Sequence, residues 1–462
     1  MSYHLDRPNF EAGTTRVSDV VDRYLDTIDT KSDLNAFLHV NRDGVSTAAK
    51  AADERFSAGL ARPLEGLVVA VKDNISVVGQ PLTCASRMLD GFDPLFNATV
   101  TERLLNAGAL LIGKTNMDEF AMGSSNETSA FGIVRNPVDP NRVPGGSSGG
   151  SAVAVSGGMC HVALGSDTGG SIRQPAAFTG TYGLKPTYGR VSRYGLVAFA
   201  SSLDQIGLFA SSVSDLESVF DVIAGYDPMD ATSVRNAKPL TSSPNSSTRI
   251  AALPIAELAG CDPEIITAYQ HYLEQLRSTG AEVEFVSLPH SEMWIPTYFI
   301  LATAEASSNL ARFDGIRYGL RVDAEDGEIT TASRSHGFGA EVQRRIMLGT
   351  FVLSAGYGEA YYTKAQQARR LISRAYEQVF TSYDAFALPT TPTTAFRHGQ
   401  VTDPVSMWLS DYFTVSANIA GIPALNVPFG KDSSGLPIGM QLQGPMLGDE
   451  RIMGIASKLA SS

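Results

Sequence analysis

The chain has 462 residues, of which 43% are hydrophobic, and this is enough apolar material for a large buried core. Its formal net charge is −12, which argues against nucleic-acid binding by this chain alone, because such binding needs a basic surface. The three cysteines show no CxxC spacing and indicate neither a disulfide framework nor a zinc cluster, so we expect a reducing, cytoplasmic setting.

The first part of the chain predicts helices. The opening stretch, residues 1–7, is polar and no apolar run follows it, so we expect no signal peptide. Residues 16–61 repeat apolar side chains at helical spacing, beginning with Val17, Val20 and Val21, and we expect a helical N-terminal segment over residues 1–61. No uncharged apolar stretch reaches the length needed to span a bilayer, so we expect no membrane partner.

Short apolar runs alternate with glycine-rich loops over residues 64–225. The runs Leu67–Val71, Ala109–Gly113 and Cys160–Gly165 predict buried strands. Strands that alternate with loops and helices indicate an α/β sheet. Lys72 directly follows the first run, and we therefore expect it where a strand meets a loop.

Two loops in this region are rich in glycine and serine, namely Pro144–Ser151 and Gly165–Ser171. Glycine lets backbone N–H groups approach a substrate closely, and a serine can act as a nucleophile when a base is near. A helix is predicted to start near Ile172, and N–H groups at a helix start can hold an oxyanion. The alternatives are a tight turn or a phosphate-binding loop, although neither loop has the lysine of a Walker motif.

Lys72 is the best candidate for the base. An ordinary lysine is protonated at neutral pH, but burial at the end of an apolar strand favours the neutral amine. The alternative is a structural lysine that pairs with Asp73 or another carboxylate. His161 lies on a predicted buried strand and is expected to be satisfied within the core, so a Ser-His-Asp triad is the weaker hypothesis.

The later part of the chain, residues 249–462, opens with a β-α-β pattern. Arg249–Leu253 predicts a strand, Asp262 can cap the helix that follows, and Gly280 can end it. Glu282–Leu288 alternates like a second strand. The buried stripe of the helix is predicted to consist of Ile266, Tyr269, Leu273 and Leu276.

A polar loop, residues 226–248, separates the two parts. Towards the end of the chain an amphipathic helix over residues 363–382 precedes a strand at Ala385–Pro389. The sequence shows no internal repeat. We therefore expect an α/β protein with a single domain over residues 1–462, built on a large mixed β-sheet covered by helices on both faces.

The three motifs around Lys72 and the two loops resemble those of the amidase signature family, serine hydrolases that use a Ser-Ser-Lys triad. The resemblance implies Lys72 as the base, Ser171 as the nucleophile and Ser147, on a cis peptide bond, as the bridge between them. By residue pattern alone, Ser148 and Ser151 remain rivals of Ser147. The resemblance also implies an oxyanion hole made by the backbone N–H groups of Thr168, Gly169, Gly170 and Ser171.

Three later stretches, residues 305–319, 344–351 and 389–396, carry a more specific resemblance. They are similar to the glutamine-hydrolysing subunits of bacterial Glu-tRNA(Gln)/Asp-tRNA(Asn) amidotransferases. The resemblance implies a glutaminase that needs no cofactor or metal in this chain. It also implies a heterotrimer with a larger subunit that binds tRNA, ATP and Mg²⁺, and a small linker subunit.

The same resemblance implies how glutamine is bound. Arg345 would hold the α-carboxylate, with Arg344 as a close rival, because an arginine fork suits a carboxylate. Asp411 would hold the α-ammonium group, and Tyr298 would line the pocket. The alternative functions are a free-standing amidase of small amides and a catalytically silent scaffold, and the complete lysine and serine set argues against the scaffold.

Overall fold

The structure, a computed structural model, describes residues 2–240, 248–324 and 328–461. The strands are β1 (Phe37–Val40), β2 (Val68–Lys72), β3 (Leu110–Thr115), β4 (Val162–Asp167), β5 (Tyr182–Lys185), β6 (Gln205–Ala210), β7 (Arg249–Ala252), β8 (Glu282–Phe285), β9 (Ala385–Pro389), β10 (Ala424–Lys431) and β11 (Pro437–Gln443). The helices are α1 (Tyr3–Glu11), α2 (Val17–Thr30), α3 (Arg42–Ser57), α4 (Thr99–Ala107), α5 (Gly149–Ser156), α6 (Arg173–Thr179), α7 (Val213–Ile223), α8 (Pro263–Ser278), α9 (Trp294–Asn309), α10 (Ile329–Gly337), α11 (Ala340–Leu353), α12 (Lys364–Val379), α13 (Pro404–Leu409), α14 (Val415–Ala420) and α15 (Asp449–Ala460).

All the strands of the described residues join one mixed sheet, in the order β1-β3-β2-β4-β6-β5-β10-β11-β9-β7-β8. β2 is parallel to β3 and β4, and β7 is parallel to β8 and β9, whereas the other neighbours pair antiparallel. The predicted fold class, an α/β protein with a large mixed sheet, is confirmed. Because this one sheet takes strands from both parts of the chain, we propose a single domain for residues 1–462.

The centre of the sheet is covered on both faces. Successive side chains of a strand point to opposite faces, yet every residue of β2, β3 and β4 is buried. Strands covered on both faces appear in a sequence as continuous apolar runs, which is how these three were predicted. Each strand begins one or two residues later than its predicted run.

The N-terminal segment is helical except at one place. α2 and α3 lie within residues 16–61 as predicted, but the prediction of helix was wrong at Phe37–Val40, which forms β1 beside β3. The 3₁₀ turn Ser32–Leu34 ends the first helical run, and Asn35 follows it in the left-handed conformation, with φ at 53°. β1 is too short to leave a strand signal among the helical repeats.

The predicted β-α-β pattern is confirmed as β7, α8 and β8, with the two strands parallel. Asp262 precedes α8, but its side chain makes no capping hydrogen bond. Ile266 is only partly buried, because Ile265 and Tyr272 lie on the inner face of the helix instead. The second strand ends at Phe285, earlier than predicted.

The remaining predicted elements also have counterparts. β9 has the predicted bounds, and α12 corresponds to the predicted helix over residues 363–382, with slightly shorter limits. In the loop predicted over residues 226–248, residues 226–240 form no helix or strand, and residues 241–247 lie outside the described residues.

We expect Gly113→Ala to destabilise the fold at the contact between β1 and β3. A Cβ at Gly113 would lie 2.1 Å from the carbonyl oxygen of His39, so the backbone would have to shift. The free energy of unfolding, measured by urea denaturation, should fall by about 1–3 kcal/mol. Gly260→Ala is the matched control, because nothing lies within 4 Å of its Cβ. Equal stability of the two variants would contradict the placement of β1.

Candidate active site

The three segments singled out in the sequence meet at one edge of the sheet. β2 and β4 are parallel neighbours, so their carboxyl ends lie side by side. Lys72 ends β2, and residues 168–172 follow β4. The loop before α5 closes against both, since Nζ of Lys72 lies 2.8 Å from Oγ of Ser147, and the N–H of Ser148 donates to the carbonyl of Ser171 at 3.2 Å. The structure thus brings Lys72, Ser147 and Ser171 together.

Lys72 is fully buried among hydroxyl groups. Its Nζ lies 2.8 Å from Oγ of Ser147, 2.7 Å from Oγ of Ser148 and 2.9 Å from Oγ of Ser166. Asn74 donates to the same oxygen of Ser166 at 3.0 Å. The sequence analysis missed Ser166, whose one signal is its position near the end of β4, beside Lys72.

The charge of Lys72 is destabilised by its surroundings. Asp73, the alternative partner considered for it, pairs instead with Lys114, at 3.4 Å. Burial lowers the pKa of Lys72 to about 7, and the more distant charges of Asp118 and Asp167 oppose that shift only in part. A lysine with this pKa is neutral in a large share of molecules near neutral pH, as a general base requires.

The first glycine-serine loop presents two hydroxyls to the lysine. The peptide bond between Gly146 and Ser147 is cis, as the resemblance implied, and the N–H of Gly146 donates to Oε1 of Gln174 at 2.9 Å. Ser151 makes no hydrogen bond to Lys72, because its Oγ instead donates to a carbonyl of β4 at 2.9 Å. The geometry therefore reduces the rivals of Ser147 to Ser148.

The second loop is organised by Asp167. Its carboxylate pairs with the Arg173 guanidinium at 2.9 Å and accepts the N–H of Gly170 at 2.8 Å. Burial would raise the pKa of Asp167, but the positive charge of Arg173 outweighs it and lowers that pKa to about 2. The N–H of Gly170 is thus already used, which departs from the expectation that the whole loop faces an oxyanion.

Ser171 stands at the end of this loop and is 8% exposed. Over the described residues, its hydroxyl has no protein hydrogen-bond partner, and neither do the N–H groups of Thr168 and Gly169. The N–H of Ser171 is equally unpaired within the same residues. An oxygen bound beside Ser171 would therefore find free backbone donors.

Tyr298, on α9, faces the second loop. A Cβ on Gly169 would lie 2.5 Å from the Tyr298 hydroxyl, so the tyrosine covers the loop closely. Burial raises the pKa of Tyr298, and the charge of Arg345 acts against that shift. The tyrosine and the predicted carboxylate partner therefore lie in one neighbourhood.

The two rival arginines differ in burial. Arg345 is 4% exposed, and its guanidinium lies 5.6 Å from the ring centres of both Phe199 and Phe299. Its Nε donates to Glu341 at 2.8 Å, which leaves the outer nitrogens of the fork for other acceptors. The side chain of Arg344 is 44% exposed and pairs with the same Glu341. Nothing in the sequence indicated the two phenylalanine rings beside Arg345 or the role of Glu341.

Asp411 lies just after α13 and is also buried. The hydroxyl of Ser124 donates to its Oδ2 at 2.6 Å. Burial raises the pKa of Asp411 to about 7, although the hydrogen bond from Ser124 and the charge of Arg345 both act against the rise. A cavity of about 330 Å³ borders Ser124, Arg345 and Trp408, so open space lies beside Arg345 and beside the serine that donates to Asp411.

Other kinds of site find less support. His161 is buried, its Nδ1 accepts the N–H of Val68 at 3.0 Å and its Nε2 lies 3.0 Å from Asp6, so it is a satisfied core histidine as predicted. Within residues 2–240, 248–324 and 328–461, no cluster of three or more His, Cys, Asp or Glu side chains could hold a metal ion. None of the helices in these ranges is long and apolar enough to cross a membrane.

Comparisons with known proteins agree with this geometry. The family model described as Amidase matches residues 19–453. The A-subunit of a glutamyl-tRNA(Gln) amidotransferase from a Synechococcus strain is 52% identical over 435 residues, covering 92% of this chain and 90% of the relative. The corresponding A-subunit of Salinibacter ruber is 48% identical, with 98% of each chain covered.

A solved structure is similar over the same length. The crystal structure of the glutamyl-tRNA(Gln) amidotransferase A-subunit from Thermotoga maritima is 41% identical, with a TM-score of 0.78, and the match covers 97% of this chain and 94% of that one. A second structure, described only as an amidase, is 30% identical with a TM-score of 0.85. Sequence, fold and site agree, and the chain belongs to the amidase family.

Proposed function

We propose that this chain hydrolyses glutamine and supplies ammonia as the amidase component of a tRNA-dependent amidotransferase. The observation that carries the proposal is the contact between the buried Lys72, whose pKa is lowered to about 7, and Ser147 beside Ser171. The relatives named as A-subunits of glutamyl-tRNA(Gln) amidotransferases, about half identical over nearly the whole chain, support the choice of substrate and complex.

The reaction begins with proton transfer to the lysine. Oγ of Ser171 attacks the γ-carboxamide carbon of glutamine while its proton passes to Ser147, and Ser147 passes its own proton to neutral Lys72. The carbon–nitrogen bond then breaks, and the proton returns through Ser147 to the leaving nitrogen, which departs as ammonia. Water attacks the γ-glutamyl ester in the second half of the cycle and releases glutamate and free Ser171.

Ser147 suits the bridging role better than Ser148. The hydroxyl of Ser148 donates to the carbonyl of Ser166 at 3.0 Å, so its proton is engaged in the framework of the site. Over the described residues, Lys72 is the one side chain hydrogen-bonded to the hydroxyl of Ser147. A relay group must give and take a proton within one cycle, which favours the less committed hydroxyl.

The oxyanion would be held by the loop after β4. The free N–H groups of Gly169 and Ser171, with that of Thr168 beside them, are the proposed donors. Backbone donors fixed before the reaction need no reorganisation as charge develops on the carbonyl oxygen. The Gly170 N–H contributes indirectly, since its bond to Asp167 fixes the shape of the loop.

Glutamine is a zwitterion at its α-carbon, and the site offers a matching pair of charges. Arg345 is the proposed partner of the carboxylate, because it is the buried member of the two arginines. Asp411 is the proposed partner of the ammonium group, and Tyr298, which covers the catalytic loop at Gly169, is proposed to line the pocket. Charge-assisted hydrogen bonds of this kind are stronger than neutral ones.

The remaining steps of amidation belong to a partner. The proposed complex is a heterotrimeric ligase in which a larger subunit binds tRNA, ATP and Mg²⁺ and a small subunit links the two. The net charge of −12 makes this chain a poor binder of tRNA by itself. Because aminoacyl-tRNA is used in protein synthesis, we propose a cytoplasmic location.

Ser171→Ala and Lys72→Met should each lower the glutaminase turnover number by about 10³-fold or more, since they remove the nucleophile and its base. The measurement is glutamate release by the assembled complex. Ser151→Ala is the matched control, a buried serine in the same loop whose hydroxyl contacts β4 and not the lysine. Near-normal turnover in either site variant would overturn the triad.

Arg345→Ala should raise KM for glutamine by roughly 10- to 100-fold, because it removes a charge-assisted contact worth about 1.5–3 kcal/mol. KM for a neutral acyl amide without an α-carboxylate should change little. Arg344→Ala is the control, as its side chain is largely exposed. Equal losses on both substrates would favour a free-standing amidase of small amides.

The pH dependence should separate the base from the ammonium site. The pKa of Lys72 is lowered to about 7, so kcat should rise with pH through that value as the amine loses its proton. The pKa of Asp411 is raised to about 7, so KM for glutamine should fall over the same range as the carboxylate ionises. Asp411→Asn should keep the rise in kcat and lose the change in KM. A pH-dependent KM in that variant would contradict the assignment.

The complex carrying Ser171→Ala should fail to amidate Glu-tRNA(Gln) with glutamine as the nitrogen donor. The same complex should still amidate it when ammonium chloride replaces glutamine, because the second reaction takes place on the partner. The measurement is conversion of charged tRNA, with the native complex as reference. Loss of both activities would argue that Ser171 is needed beyond ammonia release, and full glutamine activity of this chain without partners would remove the proposed complex.

A further inference from the structure

Glu119 is a buried carboxylate near the site that the mechanism does not use. It is 2% exposed, and over the described residues no arginine, lysine or histidine nitrogen lies within 4 Å of its carboxylate oxygens, while the more distant charge of Arg87 acts to lower its pKa. The hydroxyl of Ser86 donates to its Oε1 at 2.5 Å, and the N–H of Gly339 donates to its Oε2 at 2.8 Å. Burying a carboxylate without a cation is costly, so a side chain retained there needs a role.

One side of Glu119 faces the start of α11. Gly339 immediately precedes this helix and has no side chain to cap it. A Cβ at Gly339 would lie 2.5 Å from Oε2 of Glu119, so the carboxylate sits directly against that backbone. Glu341, in the first turn of α11, holds Nε of Arg345. The position of the helix start therefore sets the position of Arg345.

Asp118, the residue before Glu119, faces the catalytic loop. The N–H of Asp118 donates to the carbonyl of Ser147 at 3.1 Å. A Cβ on Gly146 would lie 2.0 Å from the carboxylate of Asp118, so the two segments are in close contact. Two adjacent residues, Asp118 and Glu119, thus connect the serine that contacts Lys72 with the helix that carries the arginine.

We propose that Glu119 is a positioning residue for glutamine binding: it fixes the start of α11 against the catalytic loop, so that Arg345 meets the α-carboxylate while the γ-carboxamide reaches Ser171. The inference rests on the proposed function, in which Arg345 binds that carboxylate. Glu119 borders the same cavity as Arg345, but each of its oxygens already accepts a hydrogen bond, from Ser86 and from Gly339, and the role proposed for it acts through the helix.

The test is the dissociation constant of L-glutamine, measured by calorimetry on the assembled complex with Ser171→Ala to prevent turnover. Glu119→Ala should weaken binding roughly 10-fold, since a mispositioned arginine loses most of a charge-assisted contact. Burial raises the pKa of Glu119 to about 7, so the site accepts a neutral side chain, and Glu119→Gln should restore binding close to that of the parent complex.

Two further variants keep the test decisive if Glu119→Ala folds poorly. Gly339→Ala should also weaken binding, because its Cβ displaces the carboxylate from the helix side. Asp215→Ala is the structural control, since Asp215 is buried and accepts the N–H groups of Tyr3 and His4 far along the chain from the site. It should lower Tm and leave the dissociation constant unchanged.

A double-mutant cycle separates this inference from the proposed function. Once Arg345→Ala has weakened binding, adding Glu119→Ala should have no further effect. A glutamine affinity unaltered by Arg345→Ala would remove the carboxylate contact of the proposed function. If Arg345→Ala weakens binding but Glu119→Ala does not, or weakens it equally in both backgrounds, the positioning role is overturned and the proposed function stands.

Discussion

The site depends on one electrostatic constraint, the burial of the Lys72 amine without a carboxylate beside it. β2 is covered on both faces, and its last residue therefore ends inside the protein rather than in solvent. Removing water disfavours the ammonium form, and the hydroxyls around Nζ cannot replace the charge of a carboxylate. The same fold that hides the lysine from solvent thus prepares it to accept a proton.

The neutral form of Lys72 depends on the ion pairs that the neighbouring buried acids make with other cations. Asp73 follows Lys72 directly, yet it pairs with Lys114 from the adjacent strand β3. The Nζ of Lys114 also donates to two carbonyl oxygens of the loop that follows β2. Asp167 is equally buried, but Arg173 keeps its pKa low. Each of these acids has its own cation, and this arrangement leaves Lys72 unpaired. A substitution that removed the cation paired with either acid would therefore change the pKa of Lys72 as well as the stability of the fold.

The features that could be predicted from the sequence are those encoded by a pattern of residues close together in the chain. Continuous apolar runs predicted β2, β3 and β4, and two glycine-serine loops predicted where serine chemistry would lie. The edge strand β1 was missed because four residues leave too short a pattern within helical repeats. Glu119 and Ser166 make their contacts with the site across the fold, and no spacing along the chain indicates such contacts. Arg344 and Arg345 are adjacent, and only their burial in the structure separates them.

The central claim is that the Lys72 amine loses its proton near neutral pH. Nitrogen NMR of the complex, with this chain labelled at its lysine side chains, measures this directly when the signal is assigned by its loss in Lys72→Arg. The account predicts titration of the Lys72 nitrogen near pH 7, in line with its lowered pKa of about 7. An amine that stays charged up to the ordinary lysine range, with a pKa of about 10.4, would contradict it.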